Sequence, residues 1–339
     1  MNMRRVFVQA VRLMCLLGAA LGLSGPAHGA ALNPFTGLAV DDAVAQRRAL
    51  LVKIANTANV RPQTGLALAD VVVEHLSEGH ITRFTALYLT HAPEKIGSVR
   101  SCRLIDLELP QIFDAALVCS GTSPGVQQLM RTSPAYLDNR TMIADLGRFS
   151  GCAGCPMYRT KDAPVPHNLF ASAVNAWAVL TERGKNRPSA FSSWRFDAGA
   201  PAGGIAVKSV DILYRSGTVT WVYDSADGLW KRFYGRTPHT DRATRQTISA
   251  ANVVVLYAHH AVTPIVEDVG GARSIEIQLW GQGLARVFRD GKMIDGNWRR
   301  PAQPGVLELV DFAGSPILLK PGQTWIEVVP LDFPVKAQQ

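Results

Sequence analysis

The chain has 339 residues, of which 47% are hydrophobic and 18% charged, and its formal charge is +8. This length suits two domains, and the composition supports a real core, which excludes intrinsic disorder and a small disulfide-stapled scaffold. Taken alone, the positive charge would favour a nucleic-acid-binding protein.

Residues 1–30 have the pattern of a secretory signal peptide. Three arginines and no acid occur near the start, residues 13–25 are apolar or small, and small residues follow Pro26. The apolar stretch is shorter than the roughly 20 residues that span a bilayer. We therefore predict export to the periplasm, the cell surface or the medium. Cys15 lies within the apolar stretch rather than at its end, so we expect no lipid attachment.

Export changes the meaning of the charge. Removal of residues 1–30 would leave +5, and the remaining basic residues form no run of five or more. A dispersed positive charge is typical of a solvated surface. We therefore expect no specific nucleic-acid partner, while weak attraction to anionic envelope polymers remains an alternative.

The first half of the mature chain alternates strand-like and helix-like segments. Strands are predicted at 50–54, 70–76, 81–90 and 115–120, with a turn at 77–79 and a short extended piece at 97–101. Helices are predicted at 104–113, at 124–130 after the cap Ser123, and at 168–183. This alternation predicts an α/β domain with a mixed sheet over residues 32–198.

A segment rich in Gly, Ala and Pro at 197–204 is the predicted linker. Beyond it almost no helical period is visible, and Asp290-Gly291 between two alternating runs predicts a two-residue hairpin turn. Residues 205–333 therefore read as an all-β meander, sandwich or small barrel, which makes the whole an α+β protein of two domains. Strands are predicted at 210–214, 219–223, 230–234, 252–258, 275–280, 285–289, 293–298, 306–310 and 325–329.

Four cysteines remain after export: Cys102, Cys119, Cys152 and Cys155. An even count in an exported protein suggests disulfides, here with three connectivities. Cys152 and Cys155 form a CxxC flanked by Gly and Pro, which indicates a loop rather than a thioredoxin-type helix start. We rank structural disulfides first, a metal site second and redox catalysis third, since the spacing of Cys102 and Cys119 is not that of a zinc knuckle.

Several long motifs together resemble the DUF3048 family of domains of unknown function. In the first half these are NPFTGL (33–38), RPQTGLALADVVVEHLSEGHITRF (61–84), EKIGSVRSCR (94–103), SGTSPG (120–125) and PHNLF (166–170). In the second half they are GRTPHTD (235–241), NVVV (252–255), GQGLARVF (281–288), GNW (296–298) and GQTWI (322–326).

The resemblance covers nearly the whole mature chain and implies a two-domain envelope protein, but it implies no activity. Many members of the family carry a lipobox cysteine, which this chain lacks, so membrane tethering is not carried over. The CxxC at 152–155 and Cys102 lie outside the family pattern, which makes these thiols poor candidates for a shared function.

The motifs of the first half place polar residues at the ends of predicted elements. In an α/β sheet such loops gather at one edge, and arginines there can bind a carboxylate or phosphate through two hydrogen bonds. The strand, turn and helix start around Ser120 and Ser123 would add backbone N–H groups. We predict a ligand site here, and the alternative is that the arginines and glutamates only pair with one another. The candidate ligand-binding residues are Arg83, Arg100, Arg103, Ser120, Ser123, His167 and Asn168.

An envelope hydrolase acting on glycan or peptide is the alternative function. Glu74, Glu78 and His167 are its candidate acid and base groups, because glycosidases need two carboxylates roughly 5–10 Å apart. This hypothesis requires Glu74, Glu78, Arg100 and His167 to share one accessible cleft. No GxSxG motif is present, and no complete catalytic set is visible. We therefore favour a non-catalytic binding or scaffold protein.

The second half offers weaker candidates. His239 and Asp241 could bind a metal, but a turn held by their hydrogen bonds is the preferred interpretation. The segment GQGLA lacks a following helix, so it is not a dinucleotide site, and the tryptophans are expected in the core. We expect no cofactor and no metal. The expected partner is an anionic or polar small ligand or an envelope polymer, with a protein partner as an alternative.

Overall fold

The computed structural model describes residues 31–146 and 149–339. The predicted signal peptide and Cys15 lie outside these residues. Within the described ranges, no helix has both the length and the apolar character needed to cross a membrane.

The first half combines short helices with ten strands. Its α-helices are α1 (Asp42–Ala45), α2 (Leu109–Ile112), α3 (Pro124–Met130), α4 (Pro134–Leu137) and α5 (Ala173–Glu182). Its 3₁₀ turns are Ala58–Val60, Leu66–Leu68, Glu78–His80, Leu104–Leu107 and Ala144–Leu146. Its strands are β1 (Ala31–Leu32), β2 (Ala39–Val40), β3 (Leu50–Ala55), β4 (Val71–Leu76), β5 (Thr82–Tyr88), β6 (Ile96–Gly97), β7 (Ala116–Cys119), β8 (Thr141–Ile143), β9 (Met157–Arg159) and β10 (Leu169–Ala171).

Within the described residues, the second half is built from strands alone. They are β11 (Ile205–Ala206), β12 (Ser209–Tyr214), β13 (Gly217–Asp224), β14 (Leu229–Tyr234), β15 (Thr237–Pro238), β16 (Ser249–Ala250), β17 (Asn252–Ala258), β18 (His260–Val266), β19 (Arg273–Ile277), β20 (Gly281–Arg289), β21 (Lys292–Arg300), β22 (Glu308–Val310), β23 (Thr324–Pro330) and β24 (Val335–Gln338).

One large sheet passes through both halves. Its strand order is β11-β21-β20-β17-β23-β4-β5-β3-β7-β8, and β22 pairs with β21. Strand β23 runs parallel to β17 on one side and to β4 on the other. The mixed part of the sheet in the first half and the antiparallel sheets of the second half agree with the predicted fold class.

Each face of the large sheet covers a core. Side chains such as Val72, Phe84 and Trp325 pack on one face against the six-stranded sheet of β12–β16 and β24, and against α5. Side chains such as Val73 and Ile326 pack on the opposite face against α2 and the 3₁₀ turn before it. Because side chains alternate along a strand, neighbouring residues of β4 enter different cores.

Most predicted strands are confirmed within one or two residues, and the Asp290-Gly291 turn is confirmed with positive φ at both residues. The helix predicted at 168–183 is wrong at its start. Residues 169–171 pair with β6 and β9, and the helix begins at Ala173 after the cap Ser172. Strand β18 was not predicted; it contains Pro264, which has no N–H for a ladder hydrogen bond.

Candidate functional site

The segment of residues 100–103 is held between two strands of the large sheet. The Arg100 amide donates to the Lys53 carbonyl at 3.0 Å, and the Ser120 amide donates to the Arg100 carbonyl at 2.9 Å. The sulfur atoms of Cys102 and Cys119 lie at disulfide distance, with Cα atoms 5.6 Å apart. These contacts place the arginines of the segment at the end of β7.

Two predicted site arginines converge on one carboxylate. Arg83 Nη2 donates to Glu78 Oε1 at 2.6 Å, and Arg103 Nε donates to Glu78 Oε2 at 2.7 Å. Burial opposes ionisation of Glu78, but the hydrogen bond from Arg103 and the charge of Arg83 outweigh it, so the pKa of Glu78 lies well below its usual range. Glu78 is therefore a fixed anion that orients both guanidinium groups.

Arg100 differs from these two arginines. It is half-buried, yet the described chain supplies its side chain with no ion pair and no hydrogen bond. Burial and the neighbouring charge of Arg103 lower the pKa of Arg100. Burial and the charge of Arg100 also lower the pKa of His167, so the imidazole is neutral at pH 7. Arg100 thus lies between an arginine pair and a neutral histidine without a counterion of its own.

A small cavity of about 80 Å³ opens beside His167. Ser98, Lys95, Arg242 and Asp162 also line it, and Lys95 is paired with Asp162. The Ser98 Oγ and His167 Nδ1 atoms are buried and have no hydrogen-bond partner among the described residues. The cavity therefore presents polar atoms that the surrounding chain does not satisfy.

A chain of hydrogen bonds sets the tautomer of His167. The Thr57 hydroxyl donates to Asn59 Oδ1 at 2.6 Å. The amide nitrogen Nδ2 of Asn59 in turn donates to His167 Nε2 at 3.0 Å. With Nε2 accepting, the neutral ring carries its proton on Nδ1. His167 Nδ1–H and Ser98 Oγ–H at the cavity, and the N–H groups of Arg100 outside its lining, are donors of the kind that bind an oxyanion.

Beneath the arginines lies a buried lysine whose bonding is complete. Lys53 Nζ donates to His75 Nε2 at 2.6 Å, to Thr85 Oγ1 at 3.1 Å and to Asp106 Oδ1 at 2.9 Å. Burial lowers the pKa of Lys53 to about 8. All three N–H bonds are used, so this group stabilises the sheet and leaves no donor for a ligand.

Glu74 lies on the opposite face of the sheet and is fully inaccessible to solvent. Its Oε2 accepts from Arg232 Nη2 at 2.6 Å, which links the two halves, and Glu327 stands in register with it on the neighbouring strand. The hydrolase hypothesis required Glu74 and Glu78 in one accessible cleft. Glu74 is buried within β4 against Arg232, whereas Glu78 follows the strand in the turn Glu78–His80 and is bonded to Arg83 and Arg103. The two carboxylates therefore share no accessible cleft, and that hypothesis is not carried further.

The remaining predicted site residues have local contacts of their own. Ser120 Oγ lies 3.4 Å from Ser101 Oγ, and Ser123 Oγ caps α3 by accepting from the Val126 amide. Asn168 accepts from Arg159 at 2.8 Å and donates to the Thr160 carbonyl at 3.2 Å. Asn168 therefore closes the loop that carries His167, while Ser123 is committed to its helix.

The weaker candidates of the second half are explained by structural contacts. Asp241 Oδ1 accepts from two backbone amides of its own turn, as expected, whereas His239 bonds the side chains of Arg232 and Gln63. In the described chain no group of three or more His, Cys, Asp or Glu residues is arranged to hold a metal ion.

Cys152 and Cys155 are the second pair at disulfide distance. Trp221, Trp230, Trp298 and Trp325 are fully buried in the core as expected, whereas Trp280 is only partly buried.

Four residues around the site were not singled out from the sequence: Asn59, Lys95, Ser98 and Glu267. Lys95 and Ser98 lie inside the motif EKIGSVRSCR, which was a usable signal. No sequence signal pointed to Asn59 or Glu267. They reach the site from a loop and from the end of the unpredicted strand β18, and only tertiary packing brings them there.

The fold defines a class of mostly β protein whose two halves are joined by one sheet. The arginine cluster lies beside the mixed part of that sheet, in the first half of the chain. Two family models match the chain. "Protein of unknown function (DUF3048) N-terminal domain" matches residues 35–186, and "Protein of unknown function (DUF3048) C-terminal domain" matches residues 210–326. The chain belongs to the DUF3048 family.

Two comparisons with individual proteins agree. A Bacillus subtilis (strain 168) protein named "Putative lipoprotein YerB" is 28% identical over 302 residues, which is 88% of this chain and 86% of that protein. The crystal structure of the YerB protein from Bacillus subtilis superposes with a TM-score of 0.76 at 27% identity, and it covers 91% of this chain and 100% of the other.

Proposed function

We propose that this protein is an exported component of the cell envelope that binds a small oxyanion-bearing ligand without chemical conversion. The predicted signal peptide and the lipoprotein name of the Bacillus subtilis relative support the location. Lipid attachment is not part of the proposal, because residues 1–30 carry no cysteine at the end of the apolar stretch.

The observation that indicates an anionic ligand concerns Arg100. Its side chain is half-buried beside Arg103 and has no counterion in the described chain. A guanidinium group in this position is poorly hydrated and repelled by its neighbour, so an anion stabilises it. His167 Nδ1 and Ser98 Oγ add neutral donors nearby. The shared chemistry of the ligand is a carboxylate or a phosphate.

The test compares Arg100→Gln with Arg236→Gln, which removes the same charge from an exposed turn. Citrate and inorganic phosphate are titrated into the mature protein by calorimetry, with thermal shift as the first screen. A charge-assisted hydrogen bond contributes about 1.5–3 kcal/mol, so Arg100→Gln should weaken binding roughly ten- to hundredfold. Arg236→Gln should bind as the wild type does.

Three results would overturn the proposal. The first is that neither anion stabilises the wild type, and the second is that both variants lose affinity equally. The third is that binding falls steeply with salt and depends on no particular arginine, as for a non-specific polyanion surface. Preference for citrate over phosphate, or the reverse, separates the two ligand sources.

A further inference from the structure

Strands β18 and β19 form a hairpin, here called the arm (residues 260–277), that crosses from the second half onto the arginine site. The arm is a separate two-stranded sheet and shares no strand ladder with the large sheet. It rests on α3, where Ile265 lies against Gly125, and on the 3₁₀ turns that hold Glu78 and Asp106. The arm therefore packs over the two turns next to the arginine site, with Glu267 against Arg103.

Glu267 is the part of the arm that enters the site. Its side chain is fully inaccessible, and its Oε2 lies 3.4 Å from Arg103 Nε. Neither carboxylate oxygen has a hydrogen-bond partner in the described chain. A buried carboxylate without hydrogen bonds is costly, and the charge of Arg103 offsets only part of that cost, because Arg103 already bonds Glu78.

The outer strand β18 of the arm is weakly anchored, because none of its residues is buried, whereas Ile277 at the end of β19 packs in the core. A lone two-stranded hairpin is marginally stable by itself, and Val262 on this one is 73% exposed. Ser274 lies on the buried face of β19, but its hydroxyl has no partner in the described chain. Few buried contacts and unsatisfied polar groups are features of a segment that opens locally.

We propose that Glu267 occupies the place of a ligand oxyanion, and that the arm is a cover which the carboxylate or phosphate of the ligand displaces. This inference rests on the proposed function of the Arg100 site. With the arm closed, three arginines face the two carboxylates Glu78 and Glu267. With the arm open, Arg83, Arg100 and Arg103 face Glu78 alone, and the excess of two positive charges favours an incoming anion.

A disulfide between Gly125→Cys and Ile265→Cys tests whether the arm must open. A Cβ atom built on Gly125 lies 3.4 Å from the Ile265 Cβ, close to the separation in disulfides, and the clashing Cγ1 and Cγ2 groups of Ile265 are absent from the double variant. We expect the oxidised variant to bind citrate and phosphate at least about tenfold more weakly than the wild type. Reductant should restore binding in the double variant. Because the reductant also acts on the two native cysteine pairs, the wild type treated with reductant is the control.

Removal of the internal carboxylate is the second test. Glu267→Gln should bind citrate and phosphate roughly five- to tenfold more tightly, because the competing charge is gone. Glu276→Gln removes the same charge from an exposed position on β19 and should leave the affinity unchanged. Equal affinities of the two variants would overturn the role of Glu267.

A third readout needs no ligand. In Ser274→Cys the thiol lies on the buried face of β19, whereas in Val254→Cys it lies in the central strand β17. We expect the thiol at 274 to be labelled at least about tenfold faster, since it needs only local opening. Equal labelling rates would overturn the arm proposal while the Arg100 result stands. Loss of anion binding in every variant would overturn the proposed function, and with it the ligand role of the arm.

Discussion

Replacement of Glu327 by Gln tests the buried carboxylate pair that joins the two halves. Glu327 accepts from Tyr214 Oη at 2.8 Å and from Trp221 Nε1 at 3.1 Å, and Glu74 lies opposite it on β4. Burial and the Glu74 carboxylate raise the pKa of Glu327 from 4.5 to about 8. In the folded protein Glu327 is therefore protonated at neutral pH, whereas in the unfolded chain it is ionised.

The sign of the pH dependence follows from proton counting. Between pH 4.5 and 8 the folded state binds one proton more than the unfolded state, so this group's contribution to stability decreases as pH rises. The contribution of Glu327 to the free energy of unfolding decreases by about 1.4 kcal/mol per pH unit until the pH approaches its folded-state pKa. From pH 6.5 to 8 the total decrease is about 1.5–2 kcal/mol. The buried His75 and His239 have pKa values well below 6.5 and become protonated on unfolding near and below pH 6.5. They act in the opposite sense at the low end of this window, and equally in the wild type and in Glu327→Gln.

The assay is urea unfolding of the wild type and Glu327→Gln at pH 6.5 and pH 8, followed by tryptophan fluorescence. The free energy of unfolding of the wild type should fall by about 1.5–2 kcal/mol more than that of the variant. Lys53, with a pKa of about 8, acts in the opposite sense near the top of the window and cancels in this comparison. Equal changes in the two proteins, or a larger fall in the variant, would refute the reasoning.

Three further predictions concern stability. Arg232→Met should lower the free energy of unfolding by about 3–5 kcal/mol, because it leaves the Glu74 carboxylate buried without a cation; urea unfolding measures this, and a loss under 1 kcal/mol contradicts it. Gly97→Ala should lower the melting temperature, because φ is 150° and the new Cβ would lie 2.8 Å from the Val99 nitrogen; an unchanged temperature by differential scanning calorimetry counts against this. Removal of the Cys102–Cys119 pair by double Ser substitution should cost about 3 kcal/mol for a loop of 17 residues, and thermal unfolding with unchanged stability would argue against a structural role.

The local sequence pattern was sufficient for the longer strands of the large sheet. Strand β17 was predicted at its observed ends, and the Asp290-Gly291 turn was predicted because two adjacent residues with positive φ favour this dipeptide. Errors arose where tertiary pairing overrode the local pattern. Leu169 and Phe170 have helical spacing with the residues that follow, yet they pair with two strands. Strand β18 contains Pro264, and its missing N–H is tolerated because the strand lies in a hairpin outside the large sheet.

The candidate site was only partly predictable. Arg83, Arg100, Arg103 and His167 were named from motifs at element ends, and the structure brings these four together. Glu74 and Glu78 were predicted to share a cleft, but Glu74 is buried in β4 against Arg232, and Glu78 lies in the turn after the strand against Arg83 and Arg103. The sequence reasoning had no means to name Glu267, which is 164 positions beyond Arg103 in the chain.

The sequence by itself determined the family, the mixed sheet of the first half, the β character of the second half and the cluster of arginines, because each depends on local periodicity or on contiguous motifs. Only the tertiary structure decided that β23 inserts between β4 and β17, that Cys102 pairs with Cys119, and that Glu267 meets Arg103. These pairings join segments that are distant along the chain. Their partners are selected by the burial of apolar faces and by charge, which are properties of the assembled protein rather than of any one segment.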